Sequence, residues 1–218
     1  MSLPRPVAAV VFDMDGLLFD SERLYAEAIL TAAREVGCAM SHEVFLQLVG
    51  RSREANHRFL LEHFGDDYPL DALIMAWGRH FQALAAAGPP LKAGALDLLD
   101  RLEERGLPRA IATSSSHPTV HRNLAAHGLA ARFQAIVAHG DYVEGKPSPQ
   151  PFLAAAARLG VAPAACLALE DSHNGVRAAA AAGMMTVMVP DLLPPTDEIR
   201  ALCLRIEPDL YAVARLLR

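Results

Sequence analysis

The sequence predicts a doubly wound α/β core interrupted by a helical insert. Three observations carry this. Five short apolar runs without polar alternation recur along the chain, as strands buried on both faces require. Helical patterns closed by glycine lie between the later runs, which is the alternation of a parallel sheet wrapped by helices. One long stretch after the first run contains no further run and reads as consecutive helices.

In chain order, residues 7–12 (VAAVVF) form the first predicted strand, ending at Asp13. Residues 21–91 hold no convincing strand; helices are predicted over 21–36, 41–49, 52–64 and 70–87, set off by Gly37, Gly50, Gly65, Pro69 and Gly88-Pro89-Pro90. Residues 93–105 place Leu96, Leu99 and Leu102 on one helical face ahead of Gly106. The remaining strands are predicted over 108–113, 134–138, 165–169 and 185–189. Helices over 117–127 and 149–159 end at Gly128 and Gly160, and Ser172 is suited to cap a helix that stops at Gly183. The whole is a Rossmann-like core of residues 1–20 and 92–218 with a helical cap of residues 21–91, hinged near 19–21 and 88–92.

Composition narrows the function classes. With 218 residues, 52% apolar and 21% charged, the chain is globular, and a net charge of -5 lacks the basic footprint of a nucleic-acid binder. No apolar stretch is long enough to span a bilayer; residues 178–189 are the longest and include Gly183 and Thr186. Cys38, Cys166 and Cys203 are far apart and form no CxxC pair, so thiols in a reducing, cytoplasmic setting are expected. No GxxxxGK[ST] or GxGxxG loop is found, which argues against a P-loop kinase or a dinucleotide enzyme.

The strand ends collect polar groups. The first strand delivers Asp13-Met14-Asp15-Gly16, the second Thr113-Ser114-Ser115-Ser116, and the fourth Glu170-Asp171-Ser172; the turn after the third delivers Gly145-Lys146-Pro147. Each alone has a plain structural explanation: a solvated turn, a helix cap, a surface lysine. Together at the carboxyl edge of one parallel sheet they form a cleft of carboxylates, hydroxyls and one cation. Crowded carboxylates repel, and oxygen-only donors point to a hard divalent ion, Mg²⁺ before Zn²⁺. Thr113 and Ser114 at a helix start, with Lys146, suit phosphate oxygens. The set describes phosphoryl transfer.

VVFDMDGLL, ATSS, GKPSPQPF and LEDSHNGV together resemble the four signature motifs of the haloacid dehalogenase-like superfamily, in its phosphatase and β-phosphoglucomutase-like branch. The resemblance spans nearly the whole chain. It implies a Mg²⁺-dependent phosphatase acting on a small phosphorylated metabolite, without nucleic-acid or membrane partners, as a monomer or dimer. It implies Asp13 as nucleophile and Asp15 as general acid and base. It gives Thr113, with Gly16, Ser114 and Ser115, to the phosphoryl group, and Lys146 to the phosphate and nucleophile. The metal falls to Asp13, the Asp15 carbonyl and Asp171, with Glu170 as a neighbour or occasional ligand. The superfamily's carbon–halogen hydrolases lack the acid that Asp15 supplies. Mutases of the branch carry a hinge histidine where this chain has Tyr25, so hydrolysis is favoured, with a sugar phosphomutase as the alternative. Arg53 is the first candidate for contacting substrate from the cap, with Arg51, Arg58, Arg79 and His80 as further options. A phosphorelay receiver is disfavoured because Lys146 precedes Glu170-Asp171, and a silent binding protein because the motifs are intact. His117 and His121 read as a surface pair, Tyr25 and Trp77 as cap packing, and Met184, Met185 and Met188 as sheet core.

Overall fold

The structure is a computed structural model and describes residues 3–49 and 53–217, the side chains of residues 53 and 54 excepted. The chain divides into two compact units, Met1–Asp20 with Pro90–Arg218, and Ser21–Pro89. The first holds, among the described residues, six strands: β1 (Ala9–Phe12), β2 (Arg109–Ser116), β3 (Ala135–His139), β4 (Cys166–Glu170), β5 (Met185–Met188) and β6 (Arg205–Ile206). All pair in parallel, in the order β3-β2-β1-β4-β5-β6. Five of these are the predicted apolar runs. The sixth was not predicted, because a two-residue edge strand of Arg205 and Ile206 offers no apolar run to recognise. β2 also runs past the predicted end at Thr113 to Ser116, with a register irregularity against β3 between Ala112 and Ser116.

The regular structure of the second unit is, among the described residues, all helical: α1 (Ser21–Val36), α2 (His42–Leu48), α3 (Arg53–Phe64) and α4 (Leu70–Leu84), then a short 3-10 turn over Ala85–Ala87. Ser41 caps α2 by accepting from Val44 N at 3.3 Å. α1 packs along α4 with its small residues inward: Ala26, Ala28, Ala32 and Ala33 are buried beside Ile29, and Leu73 and Ala76 are buried on α4. Small side chains on one face let two helix axes approach closely. Tyr25 stacks on Phe81 at 4.0 Å between ring centroids and meets Trp77 edge-on at 6.1 Å.

In the first unit α5 (Ala95–Glu104), α6 (His117–Ala126) and α10 (Leu210–Leu216) cover one sheet face, and α7 (Gln150–Leu159) and α8 (His173–Ala181) the other; α9 (Asp197–Leu202) packs beside α8. The period of two along each strand sorts the core by size. Val10, Phe12, Ile111, Leu167, Leu169 and Val187 meet the leucines of α5. Ala9, Ala110, Ala112 and Ala168 meet Ala155, Ala156, Ala178 and Ala179 of α7 and α8. Met184, Met185 and Met188 are buried. The segments that lead into and out of the insert pair with each other: Asp20 N donates to Pro90 O at 2.8 Å, Lys92 N donates to Leu18 O at 3.0 Å, and Phe19 bridges Leu91 antiparallel. Among the described residues, no helix is long and apolar enough to cross a membrane. Cys38, Cys166 and Cys203 are unbridged.

Candidate active site

β1 lies between β2 and β4, so the carboxyl ends of these three strands are neighbours. Asp13 follows β1 directly, and its N–H continues the ladder by donating to Leu169 O at 3.0 Å. Glu170 ends β4, fully buried, and Asp171 follows it. Lys146 reaches the same place from the loop between β3 and α7. Its Nζ donates to Asp13 Oδ1 and, at 2.5 Å, to Glu170 Oε1, with the Phe152 ring centroid 5.0 Å away.

Asp13, Glu170 and Asp171 each offer a carboxylate oxygen, all within 4.8 Å of one another. Burial, with Glu170 and Asp15 adding to it, pushes the Asp13 carboxyl well above the ordinary carboxylate range, and Lys146 pulls against this. The Lys146 ammonium is held well above its usual range; burial works against the charge, but Asp13 and Glu170 outweigh it. Three carboxylates facing one ammonium leave an excess of negative charge in a dry site. A divalent cation fits both that charge and the all-oxygen donor set.

Two glycines make room for this cluster. A Cβ on Gly16, whose φ is 82°, would fall on the Asp171 carboxylate; a Cβ on Gly175, at the start of α8, would fall on that of Glu170. Glu170 Oε2 accepts from Asp171 N at 3.1 Å, Ser172 N at 3.2 Å and Ser172 Oγ at 3.0 Å. Ser172 in turn caps α8 by accepting from Gly175 N at 3.1 Å. Glu170 is thereby locked between the helix start and Lys146, which suits a group that orients the lysine.

Asp15 stands apart from the three-carboxylate group. Its Oδ2 accepts from Ser115 Oγ at 2.7 Å. Thr113 is buried, and its Oγ1 accepts from Ser115 N at 3.0 Å. The Ser115 N–H and O–H are therefore both engaged within the protein. Ser114 is exposed.

The sequence profile of the haloacid dehalogenase-like hydrolases matches residues 7–183. The chain belongs to this family. Among relatives, this haloacid dehalogenase-like hydrolase is 39% identical over 199 residues to a Drosophila melanogaster protein named "Probable pseudouridine-5'-phosphatase", covering 86% of this chain and 83% of that one. It is 34% identical over 216 residues to protein CbbY of Rhodobacter capsulatus, covering 94% and 95%. Among solved structures it resembles CbbY from Rhodobacter sphaeroides in complex with phosphate, with a TM-score of 0.76, 28% identity, and 94% and 95% of the two chains covered.

Within the hydrolase's first unit the structure brings together Asp13, Lys146, Glu170, Asp171 and Gly16, and links Asp15 to Ser115 and Ser115 to Thr113. Of the cap candidates, Arg51 lies outside the described residues, as does the Arg53 side chain. Arg79 and His80 both meet Glu35, through Arg79 Nη2 to Oε1 and His80 Nε2 to Oε2 at 2.6 Å. Arg58 is exposed. His117 is bound to Asp141 at 2.9 Å and stacks on His121.

Tyr142 was missed by sequence reasoning. Its hydroxyl donates to Thr113 O at 3.0 Å, tying the loop that carries Lys146 to strand β2, which carries Thr113. The signal available was an aromatic residue four positions before Lys146, in a loop otherwise rich in small and polar residues.

Proposed function

We propose that this hydrolase is a Mg²⁺-dependent phosphatase of small phosphomonoesters, such as sugar phosphates or nucleotide-like esters. The arrangement of the two first-motif acids supports this reading best: Asp13 sits among Lys146, Glu170 and Asp171, whereas Asp15 is turned to Ser115. Two carboxylates in different environments can take different protonation roles. The phosphate complex of CbbY and the name of the Drosophila relative point the same way.

In this mechanism the Asp13 carboxylate attacks phosphorus and the ester P–O bond breaks. Asp15 gives its proton to the departing alcohol oxygen, leaving an aspartyl-phosphate on Asp13. Asp15 then takes a proton from water as the water oxygen attacks phosphorus, releasing phosphate and restoring Asp13. Thr113 and the Ser114 N–H hold phosphoryl oxygens, with Gly16 contributing main chain. Lys146, oriented by Glu170, offsets charge on Asp13 and the phosphate. Asp13, Asp171 and the Asp15 carbonyl would hold Mg²⁺, which when bound neutralises phosphate charge. The insert, with Arg53 as first candidate, selects the organic part of the ester.

The test is phosphate release from hexose phosphates, nucleotides, phosphoglycolate and pseudouridine phosphate, with Mg²⁺ and with chelator, for wild type and Asp13→Asn. Metal-dependent release, roughly a thousandfold or more lower in the variant, is expected. Equal release by Asp13→Asn, or full activity in chelator, would overturn the assignment.

A further inference from the structure

The Thr113–Ser114 peptide is held from outside the sheet ladder. β1 pairs with β2 only as far as Ile111, and β3 pairs at Ala112 and again at Ser116, so residues 113–115 have no register partner on either side. The Thr113 carbonyl instead accepts from the Tyr142 hydroxyl at 3.0 Å. Because this peptide is trans and planar, the Ser114 N–H points opposite to the Thr113 carbonyl. A group that holds the carbonyl therefore sets the direction of the N–H on the other edge of the same plane.

Tyr142 is itself fixed along the chain in both directions. Before it, Asp141 Oδ2 accepts from Ala138 N at 3.0 Å; after it, Gln150 Oε1 accepts from Val143 N and Glu144 N, each at 3.0 Å. Its ring packs on the core face that includes Ala112 and Phe152, and meets the His139 ring edge-on at 6.4 Å. Burial pushes the hydroxyl above its ordinary range, with Ser114 and Lys146 opposing this only in part. Tyr142 therefore stays a protonated donor at neutral pH. A peptide plane fixed in advance needs no reorganisation when an anion arrives, and that is what gives a hydrogen-bond donor its catalytic value.

We propose that Tyr142 is a positioning residue of the phosphate site: by holding the Thr113 carbonyl it aims the Ser114 N–H at the phosphoryl group. The same bond keeps the loop that carries Lys146 in register with that donor. This rests on the phosphatase reading and adds to it the group that sets the donor's direction.

Tyr142→Phe is the test, since it keeps the ring and its packing and removes only the O–H. Wild type and variant are assayed with Mg²⁺ on p-nitrophenyl phosphate and on an alkyl phosphomonoester. The variant should lose about tenfold in kcat/KM on both esters alike, because the misaimed donor serves the phosphoryl group and not the leaving oxygen. Its melting temperature should fall by no more than about 4 °C, the scale of one lost hydrogen bond. In the ¹H–¹⁵N spectrum of the Mg²⁺-loaded protein, inorganic phosphate should move the Ser114 amide downfield in wild type and much less in the variant, a readout that a merely structural role would not change. No phosphate release by wild type from any ester would overturn the phosphatase reading and this assignment with it. Wild-type release with Tyr142→Phe unimpaired, or impaired on the alkyl ester only, or with the Ser114 amide moved equally in both proteins, would overturn the assignment of Tyr142 alone.

Discussion

Ser115 Oγ donates to Asp15 Oδ2 at 2.7 Å, joining the loop after β1 to the end of β2 across one hundred residues of sequence. The same serine donates its main-chain N–H to Thr113 Oγ1 at 3.0 Å. One residue thus sets the direction of the acid assigned to leaving-group protonation and of the hydroxyl assigned to the phosphoryl group. Ser115 is a positioning residue in this arrangement.

Ser115→Ala should therefore lower kcat about tenfold for alkyl phosphomonoesters, through loss of a fixed carboxylate orientation. An aryl ester such as p-nitrophenyl phosphate, whose leaving group needs little protonation, should lose much less. Ser115→Thr, which keeps the hydroxyl, should recover most of the alkyl-ester activity. Equal losses on both ester classes would show that Ser115 does not act through Asp15.

Lys146 carries a second prediction. Its ammonium is buried between Asp13 and Glu170, and the balance of burial against two carboxylates keeps it charged. Lys146→Met removes the cation and leaves carboxylates crowded in a dry site. Stability should fall by about 3 kcal/mol, as when one partner of a buried ion pair is removed. Phosphate release should fall roughly a hundredfold or more. Added Mg²⁺ should raise the variant's melting temperature by more than the wild type's, because the ion then meets a larger uncompensated negative charge. Thermal melts of both proteins with Mg²⁺ and with chelator check this.

How much of this was legible in the sequence follows from the size of each signal. Strands β1 to β5 are apolar runs bounded by glycine, proline or acids, and both-face burial leaves that mark. β6 is two residues long, and α9 and α10 are six and seven residues, too short for a helical period to stand out. The motif residues Asp13, Lys146, Glu170 and Asp171 announce themselves because charged groups at strand ends are costly unless they meet. What sequence could not show is who holds whom. Nothing in the sequence tells that the Ser115 hydroxyl meets Asp15, or that Arg79 and His80 both meet Glu35. Those pairings join residues tens of positions apart and depend on side-chain direction, which periodicity does not encode.

Gly16 gives a third prediction. Its φ of 82° disfavours a side chain, and a Cβ would collide with the Asp171 carboxylate. Gly16→Ala should lose about 1–3 kcal/mol of stability from backbone strain alone. It should also push Asp171 away from Asp13 and Glu170, weakening Mg²⁺ binding by about tenfold or more, the scale seen when groups that orient a ligand are disturbed. Calorimetric titration with Mg²⁺ separates the two effects. Unchanged affinity in the folded variant would show that Asp171 does not hold the metal.

The last prediction concerns Asp141, a group outside the proposed chemistry. Its Oδ2 accepts from Arg158 Nη1 at 3.0 Å, Ala138 N at 3.0 Å and His117 Nε2 at 2.9 Å. Arg158 and the Ala138 N–H hold the carboxyl down to about 2 from its ordinary 3.8, with partial burial opposing them. The folded state therefore favours the ionised form, and the unfolded chain binds a proton first as pH falls. Stability from this group is fully present above about pH 4 and is lost as the pH drops from 3.8 toward 2. Asp141→Asn keeps the shape but removes the charge. It should lower stability near pH 5 by about 1 kcal/mol, the scale of a partly exposed charge-assisted bond. The gap between wild type and variant should then close on acidification through that window. Urea unfolding of both proteins at a series of pH values measures it directly. A gap that stays constant down to the acid limit of folding would mean that the loss comes from altered hydrogen bonding around Ala138 and Arg158, and not from the carboxylate's charge.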